Sequence, residues 1–99
     1  MQEDGISWPR VSVRLRRWAL SEPDVQRVTL GYNGRDYSIA VLLDSISSEG
    51  IRKVMGQVDN VRELFNENLV FAYPLGPNQA EALVLNSIDT HEVYKRMKH

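Results

Sequence analysis

Val28-Thr29-Leu30-Gly31-Tyr32-Asn33-Gly34-Arg35-Asp36-Tyr37-Ser38-Ile39-Ala40-Val41-Leu42-Leu43 is a pair of β-branched and aromatic runs joined at Asn33-Gly34. That dipeptide best tolerates positive φ at both central positions of a type I′ turn, so the stretch predicts a β-hairpin over residues 25–43. A two-residue turn there sets Tyr32 opposite Arg35, Leu30 opposite Tyr37, Val28 opposite Ile39 and Gln26 opposite Val41 on one, mostly apolar, face. The other face pairs Gly31 with Asp36, Thr29 with Ser38, Arg27 with Ala40 and Val25 with Leu42. It is small and polar near the turn and apolar near the base. One face is therefore expected to pack under helices and the other to be only partly covered. A lone hairpin is marginal in water, so a third strand or a packed helix must complete it.

The expected elements on either side follow from spacing. Trp8-Pro9 opens the first, with Ser7 as N-cap and Pro9 in the first turn. Val11, Leu15 and Trp18 form a helical stripe, with Arg10, Arg14 and Arg17 on another face. Val11, Val13 and Leu15 also alternate as in a strand, and helix ending before Pro23 is preferred. After the hairpin, Ser47 is the N-cap of the main helix, 47–67, with Ile46 and Ile51 as a hydrophobic staple. Ile51, Val54, Met55, Val58, Val61, Leu64 and Phe65 keep helical spacing. Gly56 within it reads as a site of close approach to the sheet. Leu69 to Tyr73 reads as a strand buried on both faces and ended by Pro74-Leu75-Gly76-Pro77, and the helix before it makes a parallel β-α-β crossover the natural connection.

Two capping patterns follow, Asn78 with Glu81 and Asp89 with Glu92. They predict a helix through Leu83, Val84 and Ser87, with a strand at Glu81 to Asn86 as the competing reading, and a final helix burying Val93, Tyr94 and Met97. The expected fold is α+β, one small domain over 1–99: a central hairpin plus a third strand covered by helices on one face, in the order α-β-β-α-β-α, with β-β-α-β-β-α as rival. Residues 1–6 are expected to be flexible.

The 99 residues, 42% hydrophobic and 25% charged with mean hydropathy −0.36, match an ordinary globular chain large enough for one core. No targeting signal or membrane span is evident, which makes a cytoplasmic location the expectation. The absence of cysteine excludes disulfides and thiolate chemistry. Charge is segregated. Residues 1–35 hold six arginines against four acids, residues 36–94 hold three bases against nine acids, and Lys95, Arg96 and Lys98 follow. Arg10, Arg14, Arg16, Arg17 and Arg27 form a candidate patch for an anionic partner, nucleic acid or acidic protein, beside the ordinary reading of a solvated helix face.

The sequence shows no catalytic motif. His91 and His99 are the only histidines, one read in a first helical turn and one terminal, and neither has a nucleophile at a recognisable spacing. No metalloprotease, EF-hand, P-loop or dinucleotide signature is present. Asp36 and Asp44 lie at opposite ends of one strand, eight residues and roughly 26 Å apart, too far to share a metal. Catalytic, cofactor and metal residues are accordingly expected to be absent.

Glu22-Pro23-Asp24-Val25-Gln26-Arg27-Val28-Thr29-Leu30-Gly31, a turn, and Tyr37-Ser38-Ile39-Ala40-Val41-Leu42-Leu43, with Glu92-Val93-Tyr94-Lys95-Arg96 near the C-terminus, resemble minimal nucleotidyltransferase domains of the antitoxin type. The resemblance spans nearly the whole chain and rests on pattern. It implies a nucleotide-binding sheet with Gly-Ser after the first strand and Asp-x-Asp on the second, holding Mg²⁺. Here Tyr32 follows Gly31, and Ser38 and Ala40 stand where the acids belong, which implies a catalytically inactive copy. Three functions are therefore expected in competition. The first is a non-catalytic protein-interaction or adaptor domain, self-associating or with a protein partner, using Tyr32, Arg35 and Tyr37 beside the turn and Arg10, Arg14 and Arg17. The second is nucleic-acid binding through the N-terminal arginines, and the third a degenerate nucleotidyltransferase.

Overall fold

The computed structural model describes residues 8–65, 70–79 and 89–96, and in them two helices and a four-stranded mixed sheet follow the order α-β-β-α-β-β. The elements are α1 (Trp8–Leu20), β1 (Val25–Tyr32), β2 (Tyr37–Leu43), α2 (Ser48–Arg62), β3 (Val70–Leu75) and β4 (Asp89–Lys95), with a 3₁₀ turn at Glu63–Phe65 after α2. The sheet order is β3-β2-β1-β4. β1 runs antiparallel to both β2 and β4, and β3 lies parallel to β2 across the α2 crossover, as the spacing predicted.

The hairpin forms, but its tip is Gly34-Arg35 rather than Asn33-Gly34. Gly34 takes φ 95°, a conformation that side-chain-bearing residues rarely adopt. Asn33 acts from outside the tip. Its Oδ1 accepts from the backbone N–H of Arg35 at 3.0 Å and of Asp36 at 2.7 Å, while its own N–H donates to the Asp36 carbonyl at 3.1 Å. Moving the tip by one residue moves the pairing by two, so Tyr32 faces Tyr37, Leu30 faces Ile39 and Val28 faces Val41. An even shift leaves the side chains from Val28 to Tyr32 and from Tyr37 to Val41 on their expected faces. The base differs, because Gln26 is the extra residue of a bulge: Val25 pairs with Leu43 and Arg27 with Leu42. Val25 thereby joins the core and Gln26 leaves it, the reverse of the simple alternation.

Both helices contribute to one core. Val11, Leu15 and Ala19 from α1, and Val54, Val58, Val61 and then Phe65 from α2 and its 3₁₀ turn, cluster with Val25, Val28, Leu30, Tyr37, Ile39, Val41 and Leu43. Each fully buried side chain of this size contributes about 1.5–3 kcal/mol. The α2 N-cap is as predicted: Ser47 Oγ accepts from Gly50 N–H at 3.0 Å. Ile46 is exposed beside Gly76. Gly56 is not a point of close approach, since a β-carbon added there meets nothing within 4 Å. Ser7 and residues 66–69 and 80–88, with the helix or strand expected through Leu83 and Val84 and with Met97, lie outside the described residues.

Two expectations about strands are corrected. β3 continues through Pro74 to Leu75 and is not buried on both faces, because Phe71 is exposed. It has a neighbour only in β2 among the described residues, so the N–H that proline lacks disrupts no second ladder. Residues 89–95 form β4, not a helix. Val93 is the extra residue of a second bulge, and it and Tyr94 both pack against the core, which mimics the adjacent apolar pair of a helical face. On the reverse face of the sheet Ala40 and Leu75 are buried in a small cluster with Leu42 and Tyr73.

Candidate interaction surface

α1 carries four arginines and no acid over residues 8–20. Its buried stripe, Val11, Leu15 and Ala19, leaves the rest of the helix for polar groups and solvent. Two aliphatic side chains nevertheless stand outside: Val13 is 52% and Leu20 66% exposed. They are seven residues apart and therefore share one side of the helix. Arg10, Arg16 and Arg17 are exposed around them.

Arg10, Arg14 and Arg17 fall on the flank predicted from their spacing, toward α2 in the case of Arg14 and Arg17. These two line a groove of about 730 Å³ between the helices with Trp18, Asp59, Asn60 and Glu63 among its walls. Arg14 Nη1 donates to the Asn60 carbonyl at 3.3 Å and lies 3.5 Å from Glu63. Asp59 accepts from Arg62, which also donates to the Val70 carbonyl at 2.8 Å and so ties α2 to the start of β3. Trp18 is half-buried with one side against the core. Tryptophan and arginine are the residue types that most often anchor protein interfaces.

A second groove, about 320 Å³, lies on the other flank of α1, between it and β4. Arg16, Leu20, Glu92, Val93, Tyr94 and Lys95 line it. Lys95 and Val93 reach it only because residues 89–95 are a strand, so the helical reading of that segment concealed this surface. Arg16 was visible in the sequence as part of the basic run.

The residues nominated beside the turn divide differently. Tyr37 is only 7% exposed and holds the core, its ring 4.7 Å from that of Tyr32 and 5.1 Å from that of Phe65. It is not available as a contact residue. Tyr32 is half-buried against the same core, and Arg35 projects from the tip with Asp36 4.0 Å away. Arg27 pairs with Glu92 at 3.2 Å, across the β1–β4 ladder. His91 is an exposed residue of β4 opposite Leu30.

Asp44, read in the sequence as a residue at the strand end or helix entrance, is the hub of a polar clasp. Arg96 grips its carboxylate with both terminal nitrogens, at 2.7 and 3.0 Å, and also donates to the Pro23 carbonyl at 2.7 Å. Gln26, turned outward by its bulge, donates to the same carboxylate at 2.7 Å. The Arg96 and Gln26 hydrogen bonds hold the Asp44 carboxyl below its ordinary value. The clasp fixes β4 to the start of β1 and the end of β2.

At the positions where the nucleotidyltransferase pattern requires acids, Ser38 and Ala40 are buried on the reverse face. Among the described residues no three His, Cys, Asp or Glu side chains converge as a metal site would require, and no helix is long and apolar enough to cross a membrane. No protein-family model matches this sequence, and no curated protein matches it either.

Proposed function

We propose that this domain is a non-catalytic interaction module that docks an anionic protein partner through the exposed side of α1. The observation that carries the reading is the combination on one helix of four arginines, no acid, and two exposed aliphatic side chains, Val13 and Leu20. Cations alone suit phosphates as well as carboxylates. Exposed aliphatics between them favour a protein surface, which gains from burying apolar area where a phosphate backbone does not. A symmetric pairing of α1 with α1 of a second copy sets arginine against arginine and is disfavoured.

The test is a titration of the intact chain with polyglutamate and with short single-stranded RNA and DNA at two salt concentrations, followed by backbone NMR. The reading expects saturable polyglutamate binding that perturbs the α1 amides and weakens on Arg14→Glu or Arg17→Glu. Binding of oligonucleotides only, with a steep salt dependence, supports the nucleic-acid alternative and overturns this one. So does the absence of any α1 response.

A further inference from the structure

The two grooves flanking α1 differ in how far they neutralise themselves. Toward α2, Arg14 has Glu63 at 3.5 Å, and Asp59 is occupied by Arg62 at 3.2 Å. Two carboxylates, Asp59 and Glu63, thus stand in the lining against Arg14 and Arg17. Toward β4, Glu92 is the only carboxylate of the groove among the described residues, and it lies 3.2 Å from Arg27 Nε, so no described carboxylate of the groove is left to balance Arg16 and Lys95. Between those cations lie Leu20 and the half-buried Val93 and Tyr94. An apolar floor under an uncompensated pair of cations is suited to an apolar side chain flanked by carboxylates.

We infer that the α1–β4 groove seats a short acidic segment of a partner protein, with one apolar anchor residue against Leu20, Val93 and Tyr94 and its carboxylates on Arg16 and Lys95. This rests on the interaction-module reading and names the partner's chemistry. At about 320 Å³ the groove is near the lower end of the range for sites that enclose a ligand, which fits one anchor side chain rather than a whole helix. A membrane surface needs a broad projecting apolar face that can sink into lipid, whereas Leu20 is the one exposed apolar side chain of this lining, beside the half-buried Val93 and Tyr94. A phosphate backbone leaves the apolar floor unused.

The probe is an eight-residue peptide of aspartate and glutamate around a central leucine, titrated into the isotope-labelled intact chain. A matched peptide with glycine in place of leucine, a single-stranded oligonucleotide and anionic phospholipid vesicles are run beside it. The inference expects saturable shifts at Leu20, Val93, Tyr94 and Lys95, and at least about tenfold weaker binding of the glycine peptide. Arg16→Glu with Lys95→Glu reduces affinity about tenfold or more, while Arg16→Lys retains most of it. Circular dichroism confirms that the variants fold, as these positions are exposed or half-buried. Shifts confined to Arg14, Arg17 and Trp18 overturn the seat but leave the module reading standing. Preference for the oligonucleotide or the vesicles, or a doubling of mass in place of peptide binding, overturns the inferred partner. No response of α1 or β4 to any probe overturns both readings.

Discussion

Replacing glycine by alanine at positions 34 and 56 is expected to move stability in opposite directions. At Gly56, within α2, an added β-carbon meets nothing within 4 Å, so the substitution introduces no clash. Glycine in a helix interior costs about 1 kcal/mol relative to alanine, and Gly56→Ala should recover that amount. At Gly34 the backbone sits at φ 95°. A β-carbon held in left-handed backbone costs about 1–2 kcal/mol. Reduced freedom of the unfolded chain returns about 0.4–1 kcal/mol of that, leaving a net loss of about 1 kcal/mol for Gly34→Ala. The two variants should therefore differ by about 2 kcal/mol, or about 8–16 °C in Tm for a domain of this size. Urea unfolding followed by far-ultraviolet circular dichroism reads the difference as a change in midpoint at constant slope. A lower midpoint for Gly56→Ala would refute the reasoning, because it requires the close helix–sheet approach that the structure does not show. A Gly34→Ala variant as stable as the parent would refute the tip assignment.

Other expectations follow from single contacts. Phe65 is fully buried with its ring tilted against that of Tyr37 at 5.1 Å, so Phe65→Ala should cost about 3–5 kcal/mol in chemical denaturation and Phe65→Leu far less; a loss below about 1 kcal/mol for alanine contradicts its place in the core. Ser47→Ala removes the α2 cap and should cost about 1 kcal/mol, with Ser47→Asp close to the parent in the same assay. The Asp44 carboxyl is held below its ordinary value of 3.8 by Arg96 and Gln26. Its stabilising effect is thus complete above pH 3.8 and fades as pH falls through the lower folded value. Stability curves of the parent and Asp44→Asn, measured against pH, should differ above that value and converge below it; a constant difference down to the lowest pH argues against the clasp.

The legible parts of the fold were those where one signal dominates. α2 carried its cap and its period-3.6 stripe over the same residues, so Ser47 and the buried valines Val54, Val58 and Val61 were found directly. The hairpin faces survived a wrong turn position because the error in pairing was even. The bulges at Gln26 and Val93 were not legible: each breaks the alternation on which strand reading depends, and neither is marked by glycine. β4 was hidden further by Asp89 and Glu92, whose spacing imitates a capping box, while its real partner β1 lies far away in sequence. Pro74 was read as a breaker because the sequence does not show that, among the described residues, its strand pairs with β2 alone. As for the candidate surface, the arginines of α1 were visible as a run, but which of them face a carboxylate depends on Glu63 and Arg27, and that could only come from the packing.

The clasp at Arg96 also bears on the order in which the molecule is completed. β1 has a nearby partner in β2, joined through a short loop, and a distant one in β4, for which a long loop must close. During synthesis β2 follows β1 at once, while β4 emerges only after α2 and β3. Until then the outer side of β1, with Val28 and Leu30 in its strand, is an open edge of the kind that recruits other chains. Arg96, one residue beyond β4, then bonds to Pro23, Gln26 and Asp44 together. Premature termination before residue 89 would leave that edge unpaired, and the shortened product would be a target for chaperones and proteases rather than a smaller working domain.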